Sequence, residues 1–401
     1  MRGLRDAVVV GGGPAGLAFA LAAARRGLSV TVLERRDLPA DKACGEGVLP
    51  AGVRALEALG VLPRLSSDDT SAFREIRWID RDGAVARLAL PAPGGLSIRR
   101  IALSAALAAG ARAAGAEIVD AEEVLDHRRD RDGIVAVTER DEYPARVLVA
   151  ADGLGSPVRR REALDVPIRP GARRRFGLRR HFAVPPWAAA VEVHFGAGAE
   201  AYVTPVGERR VGVAFLFDAG GYSARWDASR QRACAPPGHP PARSGRDLAG
   251  PFLRSPGSLP FDELLSRFPV LERLLAGAPH DSVPRGAGPL ARRAAARTAD
   301  RLVLLGDAAG YVDALTGEGL SIAFGCAMDL AALLPDALAA GAGRAALWPY
   351  EAAWRRRFLP YWAWTRVMLG LARRPGLRRR VLGMAAARPA PFERLVAAAV
   401  G

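Results

Sequence analysis

The chain opens with a strand, a glycine-rich turn, a helix and a second strand that ends in an acid. Asp6–Val10 (DAVVV) reads as a buried strand, and Gly11-Gly12-Gly13-Pro14-Ala15-Gly16 reads as the turn. Leu17–Arg26 reads as an apolar helix closed by Gly27, and Leu28–Glu34 (LSVTVLE) as the second strand. In this layout Gly11 allows the tight turn, Gly13 lets a pyrophosphate approach the backbone, and Gly16 lets helix and sheet pack closely. The helix N-terminus turns its unpaired amide N–H groups toward a phosphate. Glu34 is placed to accept hydrogen bonds from an adenosine ribose. With all four parts in order, the segment points to dinucleotide binding rather than to a chance glycine turn.

A length of 401 residues suggests two or three domains with ample core. The formal charge of +15 comes almost wholly from arginine, with Lys42 the single lysine, as a GC-rich genome would produce. Nucleic-acid binding calls for clustered cations with aromatic platforms. The clusters here (Arg159–Arg161, Arg173–Arg175, Arg355–Arg357, Arg378–Arg380) are scattered, so nucleic acid is not expected as a partner. Attraction to anionic membranes or acidic substrates fits the charge better. Cys44, Cys234 and Cys326 lie far apart and the five histidines are dispersed, so no metal site and a reduced, cytoplasmic compartment are expected. With the fold beginning by Asp6, a signal peptide is not expected, and no apolar run is expected to span a membrane.

Further along, residues 48–60 read as a short helix, and Phe73–Ile79 with Ala84–Leu90 as a hairpin. Ser97–Ala114 reads as a long helix and Glu117–Val119 as a strand. Val124–Asp126 and Ile134–Glu139 flank a charged turn. Arg146–Ala151 is a buried strand ending at Asp152-Gly153. From about residue 175 the alternation in Arg175–Phe182, Ala190–Phe195, Ala201–Thr204 and Arg210–Phe217 predicts an antiparallel sheet. Residues 234–260 read as a loop and Phe261–Leu275 as a helix. Arg301–Leu305 is a buried strand ending at Gly306-Asp307, and the rest is helical with short breaks.

Three motifs together resemble the FAD-dependent hydroxylases of the p-hydroxybenzoate hydroxylase type and their relatives, the geranylgeranyl reductases. They are GGGPAG at 11–16 with Glu34-Arg35, then Ala151-Asp152-Gly153-Leu154-Gly155-Ser156, then Leu305-Gly306-Asp307-Ala308-Ala309-Gly310 followed by Leu315-Thr316-Gly317-Glu318-Gly319. The resemblance implies an α/β fold. A discontinuous Rossmann-like FAD-binding domain of the glutathione reductase type (1–72, 96–172 and 286–332) would carry an inserted antiparallel-sheet substrate domain (73–95 and 173–285). A C-terminal helical region (333–401) would follow. It also implies cofactor contacts at Gly11, Gly13, Pro14, Ala15, Gly16, Glu34, Arg35, Cys44, Gly45, Arg100, Val124, Asp152, Gly306, Asp307, Thr316, Gly317, Glu318 and Gly319. Asp307, just past a strand, would bind a ribityl hydroxyl. Bare amides at Gly317 and Gly319 would stabilise negative charge on a reduced flavin. Arg100 matches an arginine that approaches the cofactor in these families.

In geranylgeranyl reductases a Cys-Gly pair lies close to the flavin ring, and Cys44-Gly45 resembles it. A thiol there is a candidate catalytic proton donor, against the plainer reading of a buried apolar filler. Flavin halogenases are cousins, but their aromatic motif and catalytic lysine have no counterpart here, so halogenation is not expected. Tyr202 and Pro205 are expected on the substrate side of the flavin. The C-terminal aromatics and arginines form amphipathic helices. These are expected to pack on the FAD domain, with a lid over an apolar substrate or a membrane-surface contact as the functional alternatives. The leading expectation is an NAD(P)H-dependent flavin monooxygenase without a separate nicotinamide domain, placing one oxygen of O2 on an apolar or aromatic small molecule of secondary metabolism. The alternatives are a C=C reductase of the geranylgeranyl reductase type and a flavin-bearing maturation partner with little turnover.

Overall fold

The computed structural model describes residues 3–169, 171–218 and 260–387. The expected loop at 234–260 and Cys234 lie outside the described residues, save for Pro260.

Two large sheets organise the chain. In the first, the strands Leu302–Leu304, Glu142–Ala150, Arg5–Val10, Val30–Leu33 and Glu117–Val119 run parallel in that spatial order. Their central residues, Ala7–Val10, Val30–Leu33, Val147–Ala150 and Leu302–Leu304, are almost all valine, leucine and alanine and are buried, as a helix-covered parallel sheet requires. The helix Pro14–Ala24 lies against it and buries nine of its eleven residues, so it is apolar all round rather than striped. Gly319–Ala339 packs beside it and is apolar and long enough to cross a membrane, but much of it is buried in this core.

The register of this sheet sets the level of the site. Val10 pairs with both Leu33 and Ala150, and Ala150 pairs with Leu304. Four strands therefore end side by side. The residues that follow them, Gly11, Glu34, Ala151-Asp152 and Gly306-Asp307, emerge along one carboxyl edge, where open α/β sheets bind their ligands.

The second sheet has the order Arg285–Ala287, Arg175–Phe182, Val211–Asp218, Ala199–Pro205, Ala190–Phe195, Glu75–Ile79, Val85–Ala89. Its pairings are antiparallel except one. Ala190–Phe195 runs parallel to Glu75–Ile79, which comes from a distant pass of the chain rather than from a hairpin.

Three local expectations are corrected. Gly95–Ile98 is a strand paired with Gly47–Val48 and Thr70–Phe73, so the helix begins only at Arg100. The stretch expected as one helix from Phe261 is two, Pro260–Leu265 and Pro269–Leu274, because Pro269 has no N–H to continue the ladder. The strand expected at Val124–Asp126 is shifted to Asp126–Arg129.

The C-terminal helices Arg344–Ala372 and Pro375–Ala387 bridge both sheets. Trp354 sits under the Arg297 guanidinium (4.2 Å to the ring centroid) and stacks on Phe358 beside the first sheet. Trp364, Met368 and Leu371 pack against the second. Arg378 closes the far end with a buried two-pronged pair to Asp80 (2.8 and 3.2 Å).

Candidate active site

A single cavity of about 610 Å³ runs from the carboxyl edge of the parallel sheet to the face of the second sheet. Its nucleotide end is made largely of backbone. Gly11 has φ +109°, and a Cβ there would stand 2.5 Å from the Ala151 carbonyl oxygen. A Cβ on Gly16 would stand 2.1 Å from the Gly11 oxygen. Gly13 has nothing within 4 Å of such an atom and faces open space. Pro14 occupies the first turn of its helix, where its missing N–H costs nothing, and no side chain caps the remaining amides. Glu34 is buried and accepts from the Gly12 N–H (2.7 Å) and the Arg36 N–H (3.3 Å).

Two loops close the floor of this end. Asp152 accepts from the Val158 N–H (3.2 Å), its other oxygen has no partner, and burial pushes its carboxyl above the usual range. Burial likewise raises Asp307, opposed by Arg100, Lys42 and Arg159. Arg159, fully buried, clamps the two loops by donating to the Ala308 and Leu154 carbonyls (2.9 Å each) and pairing with Asp165 (2.7 Å).

Cys44, Gly45, Arg100, Tyr311, Thr316 and Gly317 line the seam between the two ends. Burial raises the Cys44 thiol, so it is held protonated although Arg100 favours the thiolate. The Glu46 N–H donates to its sulfur (3.3 Å). Arg100 is buried, and its Nε has no partner.

The far end is apolar. Phe73, Trp78, Leu88, Val191, Trp364 and Met368 contribute to its wall. Tyr202 also lines it and donates to the Leu315 carbonyl (2.6 Å).

Of the expected contacts, Gly13, Pro14, Ala15, Arg35, Cys44, Gly45, Arg100, Asp152, Gly306, Asp307, Thr316, Gly317, Gly319 and Tyr202 line the cavity. Gly11, Gly16 and Glu34 support the turn from behind. Pro205, Val124 and Glu318 do not line it. Pro205 is buried in its strand, and Val124 packs on the first core, near the Glu122 N–H bond to the Glu34 carbonyl (2.9 Å). Glu318 is buried at the start of its helix, and burial pushes its carboxyl up to about 7.

One cluster escaped the sequence reading. Glu46, at φ +64°, accepts from the Arg100 N–H (2.8 Å) and bonds His181 Nε2 (2.6 Å). His181 Nδ1 meets Ser282 Oγ (3.0 Å) and Arg179 (3.1 Å), and Arg179 pairs with Asp41 (2.5 Å). Glu46 and Arg179 face the cavity. The available signal was spacing: Arg175, Arg179 and His181 fall on one face of a strand otherwise built to be buried.

These residues fit FAD. Gly11 and Gly16 leave no room for a Cβ, and Gly13 faces open space. A helix N-terminus is left open, and the unpaired buried Asp152 Oδ1 and Arg100 Nε line the same space.

Comparison with known proteins agrees. Residues 5–199 match the FAD binding domain family. The chain is 31% identical over 344 residues to digeranylgeranylglycerophospholipid reductase 1 of Methanopyrus kandleri, covering 80% of this chain and 78% of the relative. It is 35% identical over 163 residues to menaquinone reductase of Mycobacterium tuberculosis, covering 39% of each. Among solved structures, a flavoprotein/dehydrogenase from Cytophaga hutchinsonii superposes with a TM-score of 0.71 at 17% identity, covering 98% of this chain and 96% of that one. The flavin-dependent halogenase CmlS superposes at 0.72 and 20% identity, covering 90% of this chain and 64% of CmlS. At those identities the structures establish the fold alone. The fold, the cavity and the kinship in sequence together make this chain a flavin-dependent oxidoreductase, a member of the superfamily that unites the FAD-dependent monooxygenases with the geranylgeranyl reductases.

Proposed function

We propose that this protein reduces carbon–carbon double bonds in an apolar, prenyl-type substrate. The observation that carries the reading is Cys44, a half-buried thiol that lines the cavity between the cofactor cradle and the apolar pocket and is kept protonated there. Reduction of an alkene needs a hydride at one carbon and a proton at the other. When bound and reduced, FAD supplies the hydride, with NAD(P)H as the source of electrons in this reading. Cys44 Sγ gives the proton, and the thiolate left behind is favoured by the Arg100 charge until solvent reprotonates it. Gly13, Asp152 and Asp307 would hold the nucleotide and ribityl parts, and Gly317 and Gly319 would offer backbone amides to the flavin. Trp78, Leu88, Trp364 and Met368 orient the chain of the substrate and exclude water. The names of the relatives above, a digeranylgeranylglycerophospholipid reductase and a menaquinone reductase, support a polyprenyl substrate class.

A second reading, insertion of one oxygen atom from O2, is favoured by the Glu46–His181 pair. Glu46 lines the cavity with the His181 imidazole behind it, and a carboxylate so backed is suited to take a proton from a phenolic substrate. Product mass separates the two. Turnover of a geranylgeranyl-bearing lipid with NADPH is expected to add two hydrogens per reduced bond. A gain of one oxygen atom would replace the first reading with the second. Cys44→Ser is expected to lower turnover by ~100-fold or more while flavin content stays unchanged.

A further inference from the structure

The Arg344–Ala372 helix has two faces of opposite character. Leu347, Tyr350, Trp354, Tyr361, Trp364 and Met368 point inward. Trp348, Arg355, Leu359, Trp362, Arg366 and Arg373 recur at spacings of seven, four, three, four and seven, which places them along one outward stripe. Trp348, Leu359 and Trp362 are 48%, 56% and 43% exposed. The stripe is about 38 Å long at the rise of an α-helix. Arg366 lies over the Trp362 ring (5.0 Å) and Arg355 over Trp348 (5.7 Å), so cation and aromatic share each station. Leu377 and Met384 on the next helix, Pro375–Ala387, are exposed as well.

The charge of this surface is one-sided. Residues 344–387 contain ten arginines and a single acid, Glu351, which is buried. Arg355, Arg357, Arg378 and Arg379 have acidic partners. Among the described residues Arg366 and Arg373 form no salt bridge, although the Arg373 charge is felt by buried Asp313.

We infer that this stripe is a docking surface for an anionic lipid bilayer. A helix with arginines bracketing exposed tryptophan and leucine lies in the headgroup plane, with rings and aliphatic chains in the acyl boundary and guanidinium groups on phosphates. A second copy of a chain carrying +15 would bring like charge against like. A nucleic acid would leave Leu359 and Met384 without a use. The inward face of the same helix lines the cavity through Trp364 and Met368, so the surface that meets lipid and the wall that meets substrate are one element. Docking of this stripe on lipid is independent of the reaction catalysed, and it can be read without turnover.

The test is flotation of the full-length, FAD-loaded protein with vesicles of phosphatidylcholine alone or of phosphatidylcholine with phosphatidylglycerol, at low and high salt. Binding to the anionic vesicles is expected to exceed binding to the neutral ones by at least tenfold, and to weaken with salt. Arg366→Gln with Arg373→Gln should lower partition roughly fivefold per arginine. Trp348→Ser, Leu359→Ser and Trp362→Ser together should abolish the salt-resistant part. Flavin content and melting temperature of each variant establish that the fold is kept. The inference is overturned if the wild-type protein stays with the unbound fraction on anionic vesicles at low salt. It is overturned equally if the variants bind as well as wild type, or if light scattering shows a dimer that the tryptophan and leucine substitutions split.

Discussion

The two ends of the cavity are built from different material. At the nucleotide end much of the surface is backbone held where a side chain cannot go, as at Gly11 and Gly16. At the apolar end the wall is side chains from strands and a helix far apart in sequence, and it is braced by buried ions. Arg175 pairs with Asp313 (2.9 Å) and Glu200 (2.7 Å), and Asp313 also accepts from the Leu315 N–H (3.1 Å). That triad fastens the second sheet to the loop that carries Thr316 and Gly317. The first end depends on main-chain geometry and the second on side chains that can be exchanged.

The sharpest way to break the first end is Gly16→Val. Its Cβ would meet a backbone oxygen that cannot move without opening the turn. The expected outcome is loss of more than about 4 kcal/mol of stability, or no soluble fold, measured by chemical denaturation and retained flavin. Arg175→Met breaks the second end. Burial already raises the Asp313 and Glu200 carboxyls, and without the guanidinium they lose the charge paired with them. A loss of about 3–5 kcal/mol is expected, and the fraction that still folds should keep its affinity for FAD. Loss of FAD affinity in that fraction would show that the ends are not independent.

The smallest effect lies at the boundary. Glu318 is buried at the start of the Gly319 helix, and burial lifts its carboxyl to about 7 from an ordinary 4.5. A carboxyl raised in the folded state contributes stability while protonated, in full below 4.5. That contribution is lost as pH climbs through 7. The protein without flavin should therefore lose about 3 kcal/mol relative to Glu318→Gln across that window, read as the difference between their melting curves against pH.

The same contrast explains what the sequence disclosed. Gly11, Gly13, Gly16 and Glu34 are legible because a turn against a phosphate leaves few residue types open, and the four strand ends carry their motifs beside them. The alternating strands of the second sheet are legible because one face is buried. Their partners are not. Glu46 and His181 are 135 residues apart and meet only through the fold. The parallel pairing of Ala190–Phe195 with Glu75–Ile79 leaves no turn to mark it. The strand at Gly95–Ile98 was hidden by a helix whose first turn is satisfied from elsewhere, by the Glu46 carboxylate on the Arg100 N–H.

The central claim is that cofactor and apolar substrate meet at Cys44 in one cavity for a reduction that needs no oxygen. Its most direct test is to mix chemically reduced holoprotein with a geranylgeranyl lipid under strict exclusion of air and follow the flavin's visible absorbance. Return of that absorbance, with two hydrogens gained per flavin and a rate at least ~100-fold slower in Cys44→Ser, is the expected result. Absorbance that returns only when oxygen is admitted would contradict it.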